Sequence, residues 1–412
     1  MKQRLLARFL RYVKIDTQSQ DGVEQIPSTP QQVDLARLLV KELKELGAKK
    51  VTLDKHGYVM ATIPATTRKQ APSIGLIAHL DTSPAVSGKG VKPQVIKAYR
   101  GGDMVIDKKN GIVIAAKDNK ALANCLGHTI VTSDGTTLLG ADDKAGVAAI
   151  MTVVEELLAH PEIPHGDVKI AFTPDEEVGR GADLFDIKKF GADFAYTIDG
   201  GFEGELNQET FSADAAVIVI EGRDIHPGTA KNVMVNSMRA MADVISRLPQ
   251  DMAPETTAGH APFIHPSTIE GNVGKTTCKL ILRDFRTSGL AEQRKILEGI
   301  IATVQKRHPK AKFDLTITPS YRNMRDALAK TPQVTNRLWK AAKRAGVIPR
   351  WKPIRGGTDG SRLTAMGLPT PNLFMGGGNY HSRTEWVSID QLLKACQTAI
   401  NVVREESTGL RG

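Results

Sequence analysis

Ile74-Gly75-Leu76-Ile77-Ala78-His79-Leu80-Asp81-Thr82 is the stretch on which the reading of this chain turns. Its uncharged, mostly apolar start predicts a short strand over 73–80. The strand ends on His79 and Asp81, which are two residues apart and so project to the same side. In one reading His79 binds a metal and Asp81 supports it from behind. In the other, this is an ordinary strand end with a capping aspartate.

The same pattern recurs on either side. Helical and strand-like segments alternate across 1–210, with a helix over 31–46, a helix over 145–159 and a strand over 167–173. Alternation of this kind predicts an α/β layer with a largely parallel sheet. Residues 211–320 read differently. A strand over 215–221, a helix over 230–248, a Pro/Gly/His-rich stretch over 253–271, a strand over 276–284, a helix over 290–307 and a strand over 312–318 suggest a small α+β sandwich. The α/β pattern then resumes, with helices over 331–345 and 390–405. The expected organisation is an α/β domain formed by 1–210 plus 321–412, with 211–320 inserted into it.

Four further segments bring potential metal ligands to strand ends or Gly-rich loops. Leu139-Gly140-Ala141-Asp142-Asp143-Lys144-Ala145-Gly146 puts two carboxylates where a loop enters a helix. Either aspartate could simply cap that helix, but a carboxylate can also bridge two ions, and the Gly and Ala flanks let backbone pass close to such a centre. Phe172-Thr173-Pro174-Asp175-Glu176-Glu177-Val178-Gly179 sets three acids in a row after a strand. Such a run is either a solvated acidic turn or, if buried together, a group that needs a cation. Ile198-Asp199-Gly200-Gly201 ends another strand on an acid, and His381 follows the loop Gly376-Gly377-Gly378-Asn379-Tyr380. Ligands of open α/β sheets gather at the carboxyl ends of the strands. Two imidazoles with three or more carboxylates form an N/O set suited to zinc, with manganese or cobalt as substitutes.

Composition narrows the partners. The net charge of +10 admits an anionic partner. The basic residues are scattered, however, and aromatics make up only 5%, so no nucleic-acid surface is expected. No apolar run approaches a membrane span, and the basic, partly apolar N-terminus reads as an amphipathic helix. Cys125, Cys278 and Cys396 are odd in number and far apart, which predicts free thiols and a reducing cytoplasm.

Taken in order, these motifs resemble those of the co-catalytic dizinc exopeptidases and, within them, the tripeptide aminopeptidases. The resemblance also rests on Asp16-Thr17-Gln18-Ser19, His226-Pro227-Gly228-Thr229-Ala230-Lys231, Arg283-Asp284-Phe285 and Arg355-Gly356-Gly357-Thr358-Asp359-Gly360. It implies a mixed sheet flanked by helices, with the inserted α+β domain serving as lid and dimerisation unit. It implies two zinc ions per subunit, one held by His79 and Asp199, the other by Glu177 and His381, with Asp142 bridging them. Glu176 is then the general acid/base acting with a zinc-bridged water, and Asp81 orients His79. His226 reaches the substrate carbonyl across a homodimer interface, and Arg283 and Arg355 bind substrate. The chain departs from that pattern in its basic charge, at Arg286-Thr287 and over 259–266. The same ligands would also serve a dizinc carboxypeptidase or dipeptidase or an N-acyl amino acid deacylase. A non-catalytic binding protein on this fold would be expected to lack Glu176 or a ligand, and none is missing.

Overall fold

The computed structural model describes residues 1–67 and 71–405, so the end of the expected first domain, 406–412, lies outside the described residues. Helix Lys2–Tyr12 buries Leu5, Phe9 and Tyr12, spaced so that they form one apolar stripe. Its arginines lie outside that stripe, where Arg4 pairs with Glu155 and Glu156 and Arg8 with Glu155. No helix among the described residues is long and apolar enough to cross a membrane.

The main sheet has eight strands in the order Lys49–Leu53, Val59–Ile63, Val168–Thr173, Ile74–His79, Phe194–Gly200, Asn372–Phe374, Glu205–Asn207 and Arg350–Trp351. The sheet is mixed. Its four central strands, from Val168–Thr173 to Asn372–Phe374, run mutually parallel, an antiparallel pairing flanks them on each side, and the last two strands, Glu205–Asn207 and Arg350–Trp351, pair parallel to each other. Strands Ile74–His79 and Val168–Thr173 are buried along their whole length, as expected where helices cover both faces. Helix Ala141–Ala159 is buried on nearly every side and joins helices Lys2–Tyr12 and Ile389–Val403 in one apolar core with the sheet. Gly146 lies at its closest approach. A Cβ there would stand 2.1 Å from the carbonyl oxygen of Ile198, so any larger residue would push the helix off the strand that carries Asp199.

A second small sheet, Gly377–Gly378, Trp386–Ser388, Ile130–Thr132 and Gln94–Ile96, was not foreseen from sequence. Its antiparallel return between Gly377–Gly378 and Trp386–Ser388 closes the loop that carries His381.

The chain divides into two compact units. The first contains Met1–Gln208, Asp326–Lys352 and the chain from Thr358 onward; the second contains Glu209–Arg325 and Pro353–Gly357. The second unit is an antiparallel sheet in the order Phe263–Gly271, Lys275–Asp284, Ser212–Glu221 and Lys312–Tyr321, packed with helices Ser237–Ser246 and Thr287–Arg307. Two details differ from the sequence reading. The stretch over 253–271 contains an edge strand, a position that tolerates Pro266 because one side of the strand needs no ladder bonds. The helix expected from 230 starts at Ser237, where the Asn236 side chain accepts from the backbone N–H of Arg239 and caps it.

Candidate metal centre

Three parallel strands deliver their acids and histidine to one place because all end on the same edge of the sheet. His79 closes Ile74–His79, Glu176 and Glu177 follow Val168–Thr173, and Asp199 lies at the end of Phe194–Gly200. Asp142 enters from the start of helix Ala141–Ala159, where the backbone of Asp142 and Asp143 is not helical. The two aspartates consequently do different work. Asp143 turns inward and accepts from the backbone N–H of His79 at 3.1 Å and of Gly146 at 3.1 Å. The Asp142 carboxylate lies between two imidazoles, with Oδ1 3.0 Å from His79 Nε2 and Oδ2 3.2 Å from His381 Nε2. Asp199 Oδ1 stands 3.8 Å from His79 Nε2, and Glu177 Oε2 stands 2.8 Å from His381 Nε2.

The orientation of His79 is fixed by a carbonyl. Its Nδ1–H donates to the backbone oxygen of Asp81 at 3.0 Å, which leaves Nε2 facing the acids. The Asp81 side chain meets more than His79. Its carboxylate stands 3.4 Å from His79 Nδ1, while Oδ1 accepts from the Glu176 N–H at 3.0 Å and Oδ2 from the Glu177 N–H at 3.1 Å. The Asp81 carboxylate therefore braces the acid turn.

The electrostatics show what the cluster lacks. Burial raises Glu176 and Asp199 well above the usual carboxylate range, and neighbouring acids add to the rise. Burial also lifts Glu177 to about 7. Burial acts on Asp142 in the same sense, but hydrogen bonds from His381 and His79 outweigh it and hold that carboxyl low. Bonds to Asp142 and Glu177 push His381 up to about 11. So many acids buried beside two imidazoles favour a divalent cation among them. The donor atoms fit one. Ligand atoms of His79, Asp142 and Glu177 lie within 4.8 Å of one another, as do those of His79, Asp143 and Asp199. Glu177 Oε1 is buried with no hydrogen-bond partner among the described residues.

Several residues at this centre escaped the sequence reading. Glu385, buried, accepts from the backbone N–H groups of Leu139, Gly140 and Asp142 at 2.9, 2.8 and 3.1 Å, fixing the loop that presents Asp142. Burial raises it to about 7. Asp359 accepts from Thr173 Oγ1 at 2.6 Å, and burial raises it to about 6. Lys144 is fully buried and donates to the Ile15 carbonyl at 2.8 Å. Asp175 stands apart from Glu176 and Glu177, because its carboxylate is bound by Ser28 and Gln32.

The second unit holds the other predicted residues. His226 is exposed, and its Nδ1 accepts from the Gly228 N–H at 3.1 Å, so that Nε2 carries the proton and is a donor. Arg283 is half-buried, donates to the Leu282 carbonyl at 2.9 Å and lies over the Tyr321 ring. Arg355 is not a free fork. Its Nη1 donates to the carbonyls of Gly259 and Ala261 at 2.9 and 2.7 Å, its Nη2 to Thr257 Oγ1 at 2.8 Å, and its guanidinium lies 5.0 Å from the Phe211 ring. Nε–H and one Nη2 hydrogen remain without a partner among the described residues.

Residues 132–405 match the Peptidase family M20/M25/M40. Over 404 residues the chain is 48% identical to peptidase T of Geobacillus thermodenitrificans, covering 98% of each. The chain belongs to the peptidase T family. Peptidase T of Bacillus subtilis is 44% identical over 405 residues, 98% of this chain and 99% of that one. The fold agrees with this membership. Aminopeptidase PepT from Bacillus cereus superposes with a TM-score of 0.75 at 22% identity over 98% of both chains. A dinuclear metal binding peptidase of the M20 family from Bacillus subtilis shares the fold with a TM-score of 0.65 at 14% identity, over 98% of this chain and 97% of that one. This chain is thus an M20 peptidase of the peptidase T branch, with a candidate metal site built from His, Asp and Glu.

Proposed function

We propose that the chain removes the N-terminal residue from short peptides, chiefly tripeptides, as a dizinc aminopeptidase. The observation that carries this reading is the Asp142 carboxylate, each of whose oxygens faces a different imidazole. His79 with Asp199, and His381 with Glu177, are the two half-sets around it. Two imidazoles with carboxylate oxygens suit zinc, and manganese or cobalt could replace it. Bound there, two divalent ions supply Lewis acidity and make water a nucleophile near neutral pH.

The protein's own residues do the rest. Glu176 takes the proton from water and returns it to the leaving amine. It suits that task because Oε2 lies 4.0 Å from His79 Nε2, beside the cluster, while its neighbour Glu177 packs against His381. Asp81 and Glu385 keep the acid turn and the Asp142 loop in place. His226 donates from Nε2 to the substrate carbonyl. Arg355 and Arg283 bind substrate, Arg355 through the two hydrogens left unpaired, which suit a carboxylate.

We further infer a cytoplasmic homodimer joined through the second unit. The three cysteines are free and buried, as suits a reducing compartment. Strands Phe263–Gly271 and Lys312–Tyr321 form the open edges of the second unit's sheet, and an open edge is a ready template for pairing. The test is a panel of di-, tri- and tetrapeptides, with and without blocked N-termini, assayed with zinc, manganese or cobalt. Cleavage of N-acyl amino acids in preference to free tripeptides would replace this reading with the deacylase one.

A further inference from the structure

Asp175 is the first of three consecutive acids, and it points away from the other two. Its φ of 58° lies in the left-handed region that residues other than glycine rarely adopt. Four hydrogen bonds surround it. Oδ2 accepts from the Ser28 N–H at 2.6 Å, and Oδ1 accepts from Ser28 Oγ at 2.5 Å and from Gln32 Nε2 at 2.7 Å. The Asp175 N–H donates to Gln32 Oε1 at 3.1 Å. Gln32 is 1% exposed and Asp175 0%, so these bonds do not compete with water. The Gln32 amide meets both the backbone and the side chain of one residue, which fixes its orientation.

The other end of this network reaches the strand that carries His79. Gln32 Nε2 also donates to Thr29 Oγ1 at 3.0 Å, and Thr29 Oγ1 donates to the Gln18 carbonyl at 2.7 Å. Gln18 forms a parallel bridge with Thr82, and the flanking Ser19 N–H donates to the Thr82 carbonyl at 3.0 Å. Thr82 directly follows Asp81, whose carboxylate receives the N–H groups of Glu176 and Glu177. The chain from Thr17 to Gln32 thus ties two strand ends together, and the acid turn is held from both sides. Asp81 grips the backbone of Glu176 and Glu177, and the Gln32–Ser28 clamp grips the residue just before them.

We propose that Gln32, assisted by Ser28, is a positioning residue for Glu176. It touches neither substrate nor metal ligand, and it acts by fixing the backbone of Asp175 so that Glu176 leaves the turn in one direction. This rests on the reading of Glu176 as acid/base. Proton transfer tolerates little error, and a displacement of 1 Å can cost about 10²-fold in rate.

The test uses the metal-loaded, full-length protein. Gln32→Met keeps the side-chain length but removes both the donor and the acceptor. The expected result is a turnover number at least about tenfold lower, KM for a tripeptide within about twofold of wild type, and unchanged metal content by elemental analysis. Ser28→Ala should show a weaker form of the same split, and Ser28→Thr, which keeps the hydroxyl, should restore most of the turnover. These two also stand in if Gln32→Met does not fold. Glu176→Gln is run alongside. If it keeps turnover, the reading of Glu176 fails. If it loses turnover while Gln32→Met and Ser28→Ala stay within twofold of wild type, the positioning role is overturned. Loss of metal in step with turnover would also overturn it, because the clamp would then serve the ligands and not Glu176.

Discussion

The strand ends of the first unit and Arg355 of the second both carry charge, but they settle it in opposite ways. At the strand ends, Asp142, Glu176, Glu177 and Asp199 crowd together with two imidazoles, and most of these acids are forced toward their protonated forms. In the second unit, Arg355 spends its hydrogens on the Gly259 and Ala261 carbonyls and its face on Phe211 and Phe263. One region is incomplete without cations; the other is nearly complete as it stands. Incompleteness is what makes the first region readable as a site from geometry alone, whereas the second acquires a role only through its family.

The largest effect should follow from completing or emptying the first region. Removing metal with a chelator should abolish peptidase activity, and returning zinc should restore it. Metal should also raise thermal stability, because it binds the folded state preferentially. Full activity in a sample verified as metal-free would end the dizinc reading. The metal-free protein should further show a distinctive pH dependence. Glu385 is raised to about 7 and Asp359 to about 6 by burial, and His381 to about 11 by its carboxylate partners. All three folded-state values lie above the unfolded ones, so the folded state holds more protons. These three groups then make stability fall as pH rises through the range 5–8. The Glu385 rise from 4.5 to about 7 corresponds to about 3 kcal/mol. Calorimetry from pH 5 to 8 checks the sign, and a metal-free protein that gains stability with pH would contradict it.

Next in size is Glu176. Glu176→Gln should lower turnover by about 10²–10⁴-fold while metal content stays near normal. Glu177→Gln should instead lose metal, since Glu177 contacts His381 and has a buried oxygen to spare. Near-normal turnover in the Glu176 variant would remove it from the mechanism.

How much of this was legible in the sequence depends on the kind of residue. His79, Asp142, Glu176, Glu177, Asp199 and His381 stood out in the sequence at strand ends, at a helix start and after a Gly-rich loop, but each pattern alone also fitted a cap or a solvated turn, and only the family resemblance assigned them roles. Glu385 did not stand out. Its work is to accept three backbone N–H groups from a loop distant in sequence, and no spacing rule encodes that. The separate place of Asp175 was not legible for the same reason. Three acids in a row suggest one shared fate, but the positive φ at Asp175 turns its side chain toward Ser28 and Gln32. In the fold, the parallel core strands were readable as apolar runs. The short strands Gln94–Ile96 and Ile130–Thr132 were not, because three residues give periodicity too little to work with.

His226 tests the second region directly. Its Nδ1 is occupied by the Gly228 N–H, so Nε2–H is free to donate. His226→Ala should lower turnover by about 10²–10³-fold, as for other donors to a developing oxyanion, with metal content unchanged. Mixing inactive His226→Ala with inactive Glu176→Gln protein should restore part of the activity if the histidine serves the partner's site. No recovery despite proven subunit exchange would confine His226 to its own chain.

The smallest effect expected is at Arg355, and it bears most closely on the contrast between the two regions. If Arg355 only anchors the loop 257–261, replacing it should loosen that loop and lower thermal stability, with little change in KM for any peptide. If its Nε–H and remaining Nη2 hydrogen hold a carboxylate, the consequence is selective. Arg355→Lys keeps a positive charge and can reach one loop carbonyl, but it cannot form the planar two-pronged contact. A charge-assisted hydrogen bond contributes about 1.5–3 kcal/mol, so losing one such contact should raise KM about 10- to 100-fold. That rise should appear for a tripeptide with a free C-terminus and be absent for the same peptide amidated there. Turnover at saturation should change little, because the contact is made equally in the ground and transition states. Equal KM changes for the free and amidated peptides would leave Arg355 as a loop anchor, and the second region would then be complete without substrate.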